Sequence, residues 1–409
     1  MVTASQTLWG FVRKRLQSRS AHQYIQARPS VFAKAPAGDG RYQVALYFAD
    51  GLINAYQLRQ WYEPMRKLAE QVPVVVIVRN ASTAVQLHQE CPLPLYFAKT
   101  IGDIETMLAG QSIGAVYYVN QNIRNFQMIR FNDPTHVFIS HGESEKAYMW
   151  SNQLKAYDYV FSAGQAARDR LAKNLSRFDA AKRTKLIGRP QIDVHYPSQT
   201  PLNPDLPTVL YAPTWEGDRP SMTYGSVASH GVALVESIIA SGQYNLIVRP
   251  HPRSGINSES YRTALGHIRQ AMAVAATDST ATYFYDETAD WGWQWAVSDI
   301  CITDISAAAY DFMATGKPLM IATPSDPSAT VDDSPALISV PGLAASEAHR
   351  TAEIVAEQLT GPNGHYEKIV EHYFGDTTPG ASMDRFLAAS LAVLEENKTE
   401  RENRAAGSN

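Results

Sequence analysis

The stretch DICITDISAAAYDFMATGKPLMIAT, residues 299–323, predicts a strand, a tight turn, a helix and a second strand in succession. The apolar run Ile300–Ile302 is typical of a buried parallel strand. Asp304 and Ser306 can cap the helix that follows, and the segment Gly316–Pro318 ends it. Backbone N–H groups at the helix start would face an anion. The stretch therefore predicts either a phosphate-binding site or an ordinary strand–helix–strand unit with a capped helix.

Strands and helices alternate along the chain from Tyr42 onward. A first series of predicted strands comprises Val44–Phe48, Val74–Val78, Leu93–Phe97, Ala115–Val119, His136–Ile139 and Tyr159–Ser162. A second series comprises Thr208–Ala212, Asn245–Val248, Tyr283–Tyr285, Ile300–Thr303, Pro318–Ala322 and Ala336–Val340. Such alternation predicts an α/β protein with parallel sheets that helices cover on both faces.

A Pro-rich segment after Pro190 separates the two series, and we place the domain boundary there. The predicted organisation is a basic arm (residues 1–41), an N-terminal α/β domain (42–190), a C-terminal α/β domain (191–375) and a final helix with a polar tail (376–409). Two doubly wound domains that face one another place their ligands in the cleft between them, at the carboxyl ends of the strands.

The composition is that of an ordinary globular protein with two or three domains: 409 residues, 45% hydrophobic and 19% charged. The formal net charge of −4 does not indicate nucleic-acid binding. Residues 1–41 contain five Arg and two Lys but only one acid, Asp39, so their formal charge is +6. Because the whole chain carries −4, the remaining residues carry −10. The two cysteines, Cys91 and Cys301, lie in apolar contexts, which favours reduced thiols in the cytoplasm over a disulfide framework.

The basic arm has more than one interpretation. Apolar residues recur at helical spacing from Leu8 to Leu16, and the run Arg13–Arg15 adds cations. Residues 1–35 therefore either bind an anionic membrane surface, or pack as a helix against the body, or form a partly disordered tail with incidental charge. No stretch reaches the roughly 18 apolar residues of a membrane span, and the N-terminus lacks the apolar core of a secretory signal. The expected location is the cytoplasm, or the inner face of the cell membrane if the arm binds lipid.

His141-Gly142 directly follows a predicted strand, so the imidazole is expected at the carboxyl end of a sheet. Gly142 allows backbone or substrate to approach closely, and Glu143 and Lys146 follow in the same turn. A histidine with a pKa near neutrality suits a general base that takes a proton from a hydroxyl group. The structural alternative is that His141 caps the next helix.

Two further clusters follow strands of the second series. Arg249-Pro250-His251-Pro252-Arg253 predicts a rigid, electropositive lip, with a solvated surface turn as the alternative. Thr214-Trp215 follows the first strand of that series. Thr214 can bind phosphate or ribose, and Trp215 either packs on a base or fills the core.

Taken together and in order, these motifs resemble the CDP-glycerol:poly(glycerophosphate) glycerophosphotransferases, which are teichoic-acid primases and polymerases with a GT-B fold. The motifs are Ser140-His141-Gly142, Tyr211-Ala212-Pro213-Thr214-Trp215, Arg249-Pro250-His251-Pro252, Ile302-Thr303-Asp304-Ile305-Ser306 with Tyr310-Asp311, and Gly316-Lys317-Pro318. The resemblance covers roughly residues 42–390, and Pro379-Gly380-Ala381-Ser382 is similar to the family's closing Asp-Gly-Ala-Ser segment. It implies a GT-B fold with an acceptor domain followed by a CDP-donor domain and a C-terminal return helix.

The resemblance implies that His141 is a general base on an acceptor hydroxyl, which attacks the β-phosphorus of CDP-glycerol and expels CMP. His251 and Arg249 would hold the pyrophosphate and offset the charge of the leaving group, as phosphoryl transfer requires. The other donor-side candidates are Thr214, Trp215, Asp304, Ser306, Ala307 and Asp311, and the acceptor-side candidates are Gly142, Glu143 and Lys146. No cofactor is implied and no metal-ligand set stands out. The expected partners are a CDP-glycerol-like donor and a lipid-linked or polymer acceptor.

Departures from the family pattern leave parts of this prediction open. Ile305 stands where the family usually has Tyr, Ala307 where it has a second Ser, and Glu216 where a basic residue is frequent. The donor's alditol and the acceptor are therefore undetermined. Two alternative functions remain: a GT-B glycosyltransferase that uses a nucleotide sugar, and a non-catalytic nucleotide-binding protein of envelope assembly.

Overall fold

A computed structural model describes residues 18–28, 40–145, 147–219, 223–288, 291–329, 340–361 and 366–407. The first group of strands is β1 (Val44–Phe48), β2 (Val74–Val78), β3 (Leu95–Phe97), β4 (Ala115–Tyr118), β5 (Thr135–Phe138), β6 (Tyr159–Ser162) and β7 (Thr184–Leu186). The second group is β8 (Thr208–Ala212), β9 (Asn245–Val248), β10 (Tyr283–Tyr285), β11 (Ile300–Thr303), β12 (Leu319–Ala322) and β13 (Gly342–Leu343).

The helices connect these strands. They are α1 (residues 18–26), α2 (Ala55–Arg59), α3 (Tyr62–Ala69), α4 (Ala81–Leu87), α5 (Ile101–Gly110), α6 (Phe126–Ile129), α7 (Gln165–Asn174), α8 (Ala180–Arg183), α9 (Val232–Ser241), α10 (Glu259–Ala275), α11 (Trp293–Val297), α12 (Ala307–Met313), α13 (Thr351–Thr360), α14 (Tyr366–Phe374) and α15 (Ala381–Gly407). Short 3₁₀ turns occur at Leu52–Asn54, Ile123–Asn125, Ala147–Trp150, Asn152–Ala156, Pro190–Asp193 and Ala345–Arg350, and a π-helical turn at Val227–Gly231.

Each group of strands forms one parallel sheet. The N-terminal sheet has the order β3-β2-β1-β4-β5-β6-β7, and the C-terminal sheet has the order β10-β9-β8-β11-β12-β13. In both, the strand order reverses beside the first strand, between β1 and β4 and between β8 and β11. Loops at the carboxyl ends diverge at such a switch point and leave a crevice for ligands. The sequence VVVIV of β2 is buried throughout, as expected of a strand with helices on both faces.

Helix α15 returns from the C-terminal sheet to the N-terminal sheet. Phe386 and Val393 are fully buried in the core of the N-terminal sheet, where the Phe386 ring lies 5.5 Å from that of Trp61. The start of the helix is anchored by Asp193, whose carboxylate accepts hydrogen bonds from the backbone N–H groups of Gly380 (3.0 Å) and Met383 (2.7 Å). The return helix therefore ties the two halves of the chain together.

The predicted fold class is confirmed, with small differences in the strands. Strand β7 was not predicted, because its sequence Thr-Lys-Leu is short and places a charge at the sheet edge. The strand predicted at Ala336–Val340 lies, apart from Val340, outside the described residues, and β13 follows it at Gly342–Leu343. The chain passes from one sheet to the other through residues 187–207, and the exact domain limits stay predictions.

Part of the basic arm packs on the body of the protein. In α1, Ala21 is buried, Tyr24 and Ile25 pack against the core of the N-terminal sheet, and the His22 ring lies 5.9 Å from that of Phe97. Residues 18–26 thus pack as a helix against the body, which was one of the interpretations of the arm. Residues 1–17 and 29–39 lie outside the described part. Among the helices that the structure describes, none has the length and apolar character needed to cross a bilayer.

Candidate active site

A cleft of about 740 Å³ separates the two sheets and opens at the carboxyl ends of their strands. Its N-terminal wall includes Tyr56, Gln57, Gln60, Asn120, Gln121, Ser140, His141 and Tyr148. Its C-terminal wall includes Thr214, Trp215, Arg249, His251, Arg253, Trp291, Ser306, Ala307 and Asp311. The cleft thus brings together most of the residues that the sequence predicted for donor binding and catalysis.

His141 is held by a constrained loop after β5. Ser140, which precedes it, has a left-handed backbone with φ of 56°, a conformation that costs energy for a residue other than glycine. The indole N–H of Trp61 donates to the Ser140 carbonyl at 2.5 Å, and the Ser140 hydroxyl donates to the Gly142 carbonyl at 3.0 Å. The loop is therefore rigid at the point where it presents the imidazole.

Gly142 lies at a close contact between the two domains, beside His141. A Cβ atom built on Gly142 would lie 3.0 Å from the Cβ of Ala307, at the start of α12 in the other domain. That separation is tighter than ordinary van der Waals contact. Gly142 is thus needed for domain contact rather than for unusual backbone angles.

We expect Gly142→Ala to force α12 away from the His141 loop, because the added methyl group overpacks the contact. Overpacking of this kind typically costs about 1–3 kcal/mol, and a displacement near the reacting groups lowers turnover as well. Urea unfolding and turnover measure the two effects. The matched control is Gly266→Ala in α10, where an added Cβ meets nothing within 4 Å, and which should be neutral or slightly stabilising. Equal behaviour of the two variants would contradict the domain-contact role.

His251 is held in a defined orientation and tautomer. Its Nδ1 accepts a hydrogen bond from the backbone N–H of Arg253 at 3.1 Å, so in the neutral ring the proton lies on Nε2. Its own backbone N–H donates to the carbonyl of Pro213 at 3.1 Å. The ring stacks near Trp215, with centroids 6.5 Å apart, and the Arg253 guanidinium lies 3.9 Å from the Trp215 ring centre.

The two histidines meet at a single aromatic ring. Tyr56, in α2 of the N-terminal domain, lies edge-on to His141 at 6.0 Å and to His251 at 5.7 Å between ring centroids. Burial raises the pKa of the Tyr56 hydroxyl, so it stays protonated at neutral pH. The sequence did not single out Tyr56. The only available signal was its position shortly after the carboxyl end of β1.

The loops at the C-terminal switch point are organised by Asp304. This carboxylate is fully buried beneath the cleft, and its Oδ2 accepts the backbone N–H groups of Thr214 (2.7 Å) and Ser226 (3.2 Å). Thr214 and Ser306 line the cleft above it. Ser306 occupies the N-cap of α12 as predicted, but its hydroxyl makes no capping hydrogen bond. Asp304 therefore positions the loops, and its side chain does not line the cleft.

Arg249 forms part of the cleft wall through a buried ion pair. Its Nη1 donates to Asp286 Oδ1 at 2.9 Å and to the Thr288 carbonyl at 2.6 Å, and Asp286 is fully buried. The guanidinium carbon lies 5.8 Å from the centre of the Trp291 ring. The predicted electropositive lip thus contains one anchored cation, Arg249, and one that stacks on an aromatic ring, Arg253.

Asp311 pairs with Arg189, which lies next to the predicted domain boundary. Arg189 Nε donates to Asp311 Oδ1 at 2.7 Å, and both side chains are buried. Arg189 Nη2 also donates to the carbonyl of His141 (3.0 Å) and to Gln60 Oε1 (2.8 Å). Burial raises the pKa of Asp311 and the Arg189 guanidinium opposes that rise. The ion pair links α12 of the C-terminal domain to the His141 loop of the N-terminal domain.

Of the remaining acceptor-side candidates, Glu143 lies away from the cleft. Glu143 is buried behind the loop, where its carboxylate pairs with Arg170, and Arg170 also contacts Glu145 at 2.8 Å. Burial raises the pKa of Glu143, which Arg170 partly opposes. Lys146 lies outside the described residues. In the part of the chain that the structure describes, no group of three or more His, Cys, Asp or Glu side chains could hold a metal ion.

Two Rossmann-like domains that face one another across a cleft, with a histidine from each, define a protein of the GT-B fold class. A model of the CDP-glycerol:poly(glycerophosphate) glycerophosphotransferase family matches residues 117–326, and the protein belongs to this family. The family resemblance of the sequence motifs is thereby confirmed.

Solved structures share the fold at low sequence identity. The wall teichoic acid polymerase TagF, in a histidine variant soaked with CDPG, is 13% identical, and the match covers 96% of this chain and 99% of that chain with a TM-score of 0.58. A Listeria monocytogenes protein provisionally assigned as a UDP-N-acetylglucosamine 2-epimerase is also 13% identical, with 87% and 97% coverage and a TM-score of 0.56. A comparison with curated proteins finds no match.

Proposed function

We propose that the protein transfers glycerol phosphate, or a related alditol phosphate, from CDP-glycerol to a hydroxyl group of a cell-envelope acceptor and releases CMP. The observation that carries this proposal is the convergence of His141 and His251, from different domains, on the same Tyr56 ring in one cleft. Membership of the family supports the donor class and a polymer or lipid-linked acceptor.

His141 is the general base of this proposal. It removes the proton from the acceptor hydroxyl, whose oxygen forms a bond to the β-phosphorus of the donor while the bridging bond from that phosphorus to CMP breaks. The left-handed Ser140 and the hydrogen bond from Trp61 hold the loop in place, so little reorganisation is needed when substrate binds.

His251 stabilises the diphosphate and the leaving group. Because its Nδ1 accepts from the Arg253 backbone, its Nε2 carries a proton that can be donated to a phosphate oxygen. The hydroxyl groups of Thr214 and Ser306 line the same wall and supply further hydrogen bonds to phosphate. Arg249 adds positive charge, and its pairing with Asp286 holds the guanidinium in one place.

The test is a donor panel. Purified protein is incubated with CDP-glycerol and, separately, with nucleotide sugars, in the presence of a membrane extract that supplies acceptor, and the nucleotide product is identified. We expect CMP from CDP-glycerol and no product from the sugars. Release of a nucleoside diphosphate from a nucleotide sugar would instead identify a glycosyltransferase. Binding of CDP without turnover of any donor would identify a non-catalytic nucleotide-binding protein.

We further propose that the basic arm places the protein at the inner face of the cell membrane. Replacing Arg13, Lys14 and Arg15 by Gln should lower the partition coefficient onto anionic liposomes, measured by sedimentation at low salt, about 100-fold. The reason is that each cation near such a surface contributes about 1 kcal/mol of binding free energy. This substitution is preferable to deletion of residues 1–35, since α1 packs on the core. The control replaces the exposed Lys398, Arg401 and Arg404 by Gln. Equal loss in both variants would contradict a role for the arm.

A further inference from the structure

The N-terminal side of the shared cleft forms a crevice at the switch point of the N-terminal sheet. The loops after β1 and β4 diverge there, and a chain of hydrogen bonds joins them. Asn120 Nδ2 donates to Gln57 Oε1 at 2.8 Å and lies 3.5 Å from Asp50 Oδ2, and Gln57 Nε2 donates to the Tyr56 hydroxyl oxygen at 3.2 Å. Tyr56, Gln57 and Asn120 all line the shared cleft. Open α/β sheets bind ligands in this position.

The crevice lies on the acceptor's side of the reaction. Tyr56 contacts His141, so a group bound against Tyr56 and Asn120 has its hydroxyls close to the general base. Gln121 extends the wall toward Tyr148, because its Nε2 donates to the Tyr148 carbonyl at 2.6 Å. The Tyr148 side chain is 37% exposed at the rim. The diphosphate-binding residues lie on the opposite wall.

The side chains of the crevice suit a neutral group rich in hydroxyls. Carboxamides donate and accept hydrogen bonds at once, as hydroxyl groups do, and tyrosine rings cover the apolar faces of a sugar or polyol. Because the Tyr56 hydroxyl accepts from Gln57, its own proton is directed to another acceptor. The hydrogen-bond chain fixes these side chains before the ligand arrives, which lowers the entropic cost of binding.

The charges of this wall disfavour a polyanion. Among the described residues that line it, the charged ones are Arg59, Glu63 and Glu90, and Arg59 is already paired with Glu90 at 2.7 Å. The cations that line the cleft without being on this wall are Arg249 and Arg253. Arg124 lies in the turn after β4 but does not line the cleft. Glu63 is in turn paired with Arg66 at 2.7 Å. A phosphodiester chain would therefore meet a wall whose charges are already paired and which, among the described residues, offers it no unpaired cation.

We infer that this crevice binds the acceptor, and that the unit it recognises is a neutral, polyhydroxylated group such as a sugar or free polyol, not a phosphodiester repeat. This inference rests on the proposed function, which assigns the acceptor to the side of the cleft that holds His141. It adds the chemical class of that acceptor. The first transfer onto a glycosyl unit is thus favoured over elongation of a poly(alditol phosphate) chain.

Binding is tested without turnover, by saturation-transfer NMR on the full chain. The probes are a short-chain alkyl glycoside and a glycerol phosphate trimer. We expect contact with the glycoside ring protons, at least tenfold weaker binding of the trimer, and about tenfold weaker glycoside binding in Gln57→Ala and Asn120→Ala, the fold-change of one lost hydrogen bond. The control is Gln165→Ala, which removes an exposed carboxamide bonded to Asp169 on α7. Tighter binding of the trimer, or unchanged glycoside binding in both crevice variants, overturns the inference.

A second measurement separates this inference from the proposed function. With CDP-glycerol as donor, the crevice variants should raise the acceptor KM about tenfold and leave the donor Kd, measured by calorimetry, unchanged. A weaker donor Kd in these variants would overturn the acceptor assignment. Failure of CDP-glycerol to react with any acceptor would remove the proposed donor chemistry, while the NMR result would still decide what the crevice binds.

Discussion

Replacing either His141 or His251 by Ala is expected to lower transfer at least about 100-fold while the protein remains folded. A positioned acid–base or electrostatic group typically contributes a factor of 100 to 10,000. Both rings line the cleft and lie in its walls rather than in a hydrophobic core, so their removal leaves the sheets intact. Turnover is measured as CMP release, and folding as the urea midpoint.

The two variants should differ in a second measurement. His141→Ala removes the base that acts on the acceptor and should leave the donor Kd unchanged. His251→Ala removes an N–H donor to the diphosphate and should weaken donor binding as well. The matched control is His267→Ala, which lies exposed on α10. Wild-type rates in both cleft variants would exclude the proposed mechanism.

Replacing Arg189 by Ala is expected to destabilise the protein by about 3–5 kcal/mol, because it leaves the carboxylate of Asp311 buried without its partner. The ion pair is 2.7 Å long and both side chains are almost inaccessible to solvent. Urea unfolding measures the change. The control is Arg350→Ala, which breaks an exposed pair with Glu353 and should cost about 0–1 kcal/mol. If Arg189→Ala lowers the free energy of unfolding by less than about 1 kcal/mol, the buried ion pair with Asp311 does not stabilise the fold as proposed.

A double variant separates stability from catalysis at the same place. Arg189→Met with Asp311→Leu removes both charges and should recover much of the lost stability, as apolar replacements of buried pairs often do. It cannot restore the hydrogen bond from Arg189 to the His141 carbonyl. We therefore expect turnover to stay low in the double variant. Recovery of both stability and turnover would show that Arg189 does not position His141.

The outline of the site could be predicted because it depends on local sequence. His141 and Thr214 each follow an apolar run, and parallel strands in doubly wound sheets direct such loops into a cleft. The same rule predicted the position of His251, which the proline residues on either side hold in place. Tyr56 was missed, because nothing in the spacing around α2 distinguishes a residue that lines a cleft from one that covers the core.

The partners of the charged residues could not be predicted. Asp304, Asp311 and Glu143 were expected near the ligand, yet their carboxylates are buried in contacts with the Thr214 backbone, with Arg189 and with Arg170. Each partner lies between 27 and 122 positions away in the chain. A carboxylate next to a strand end looks the same in sequence whether it meets a ligand or an arginine.

The amino-acid sequence by itself determined the two parallel sheets, the loops that carry the histidines and the family, because hydrophobic periodicity and turn residues act over short distances. Only the tertiary structure decided that the two imidazoles share one tyrosine, that Arg189 links the domains at the His141 loop, and that the N-terminal wall of the cleft lacks an unpaired cation among its described residues. These features depend on which side chains from distant segments meet, and that is settled when the two domains pack together.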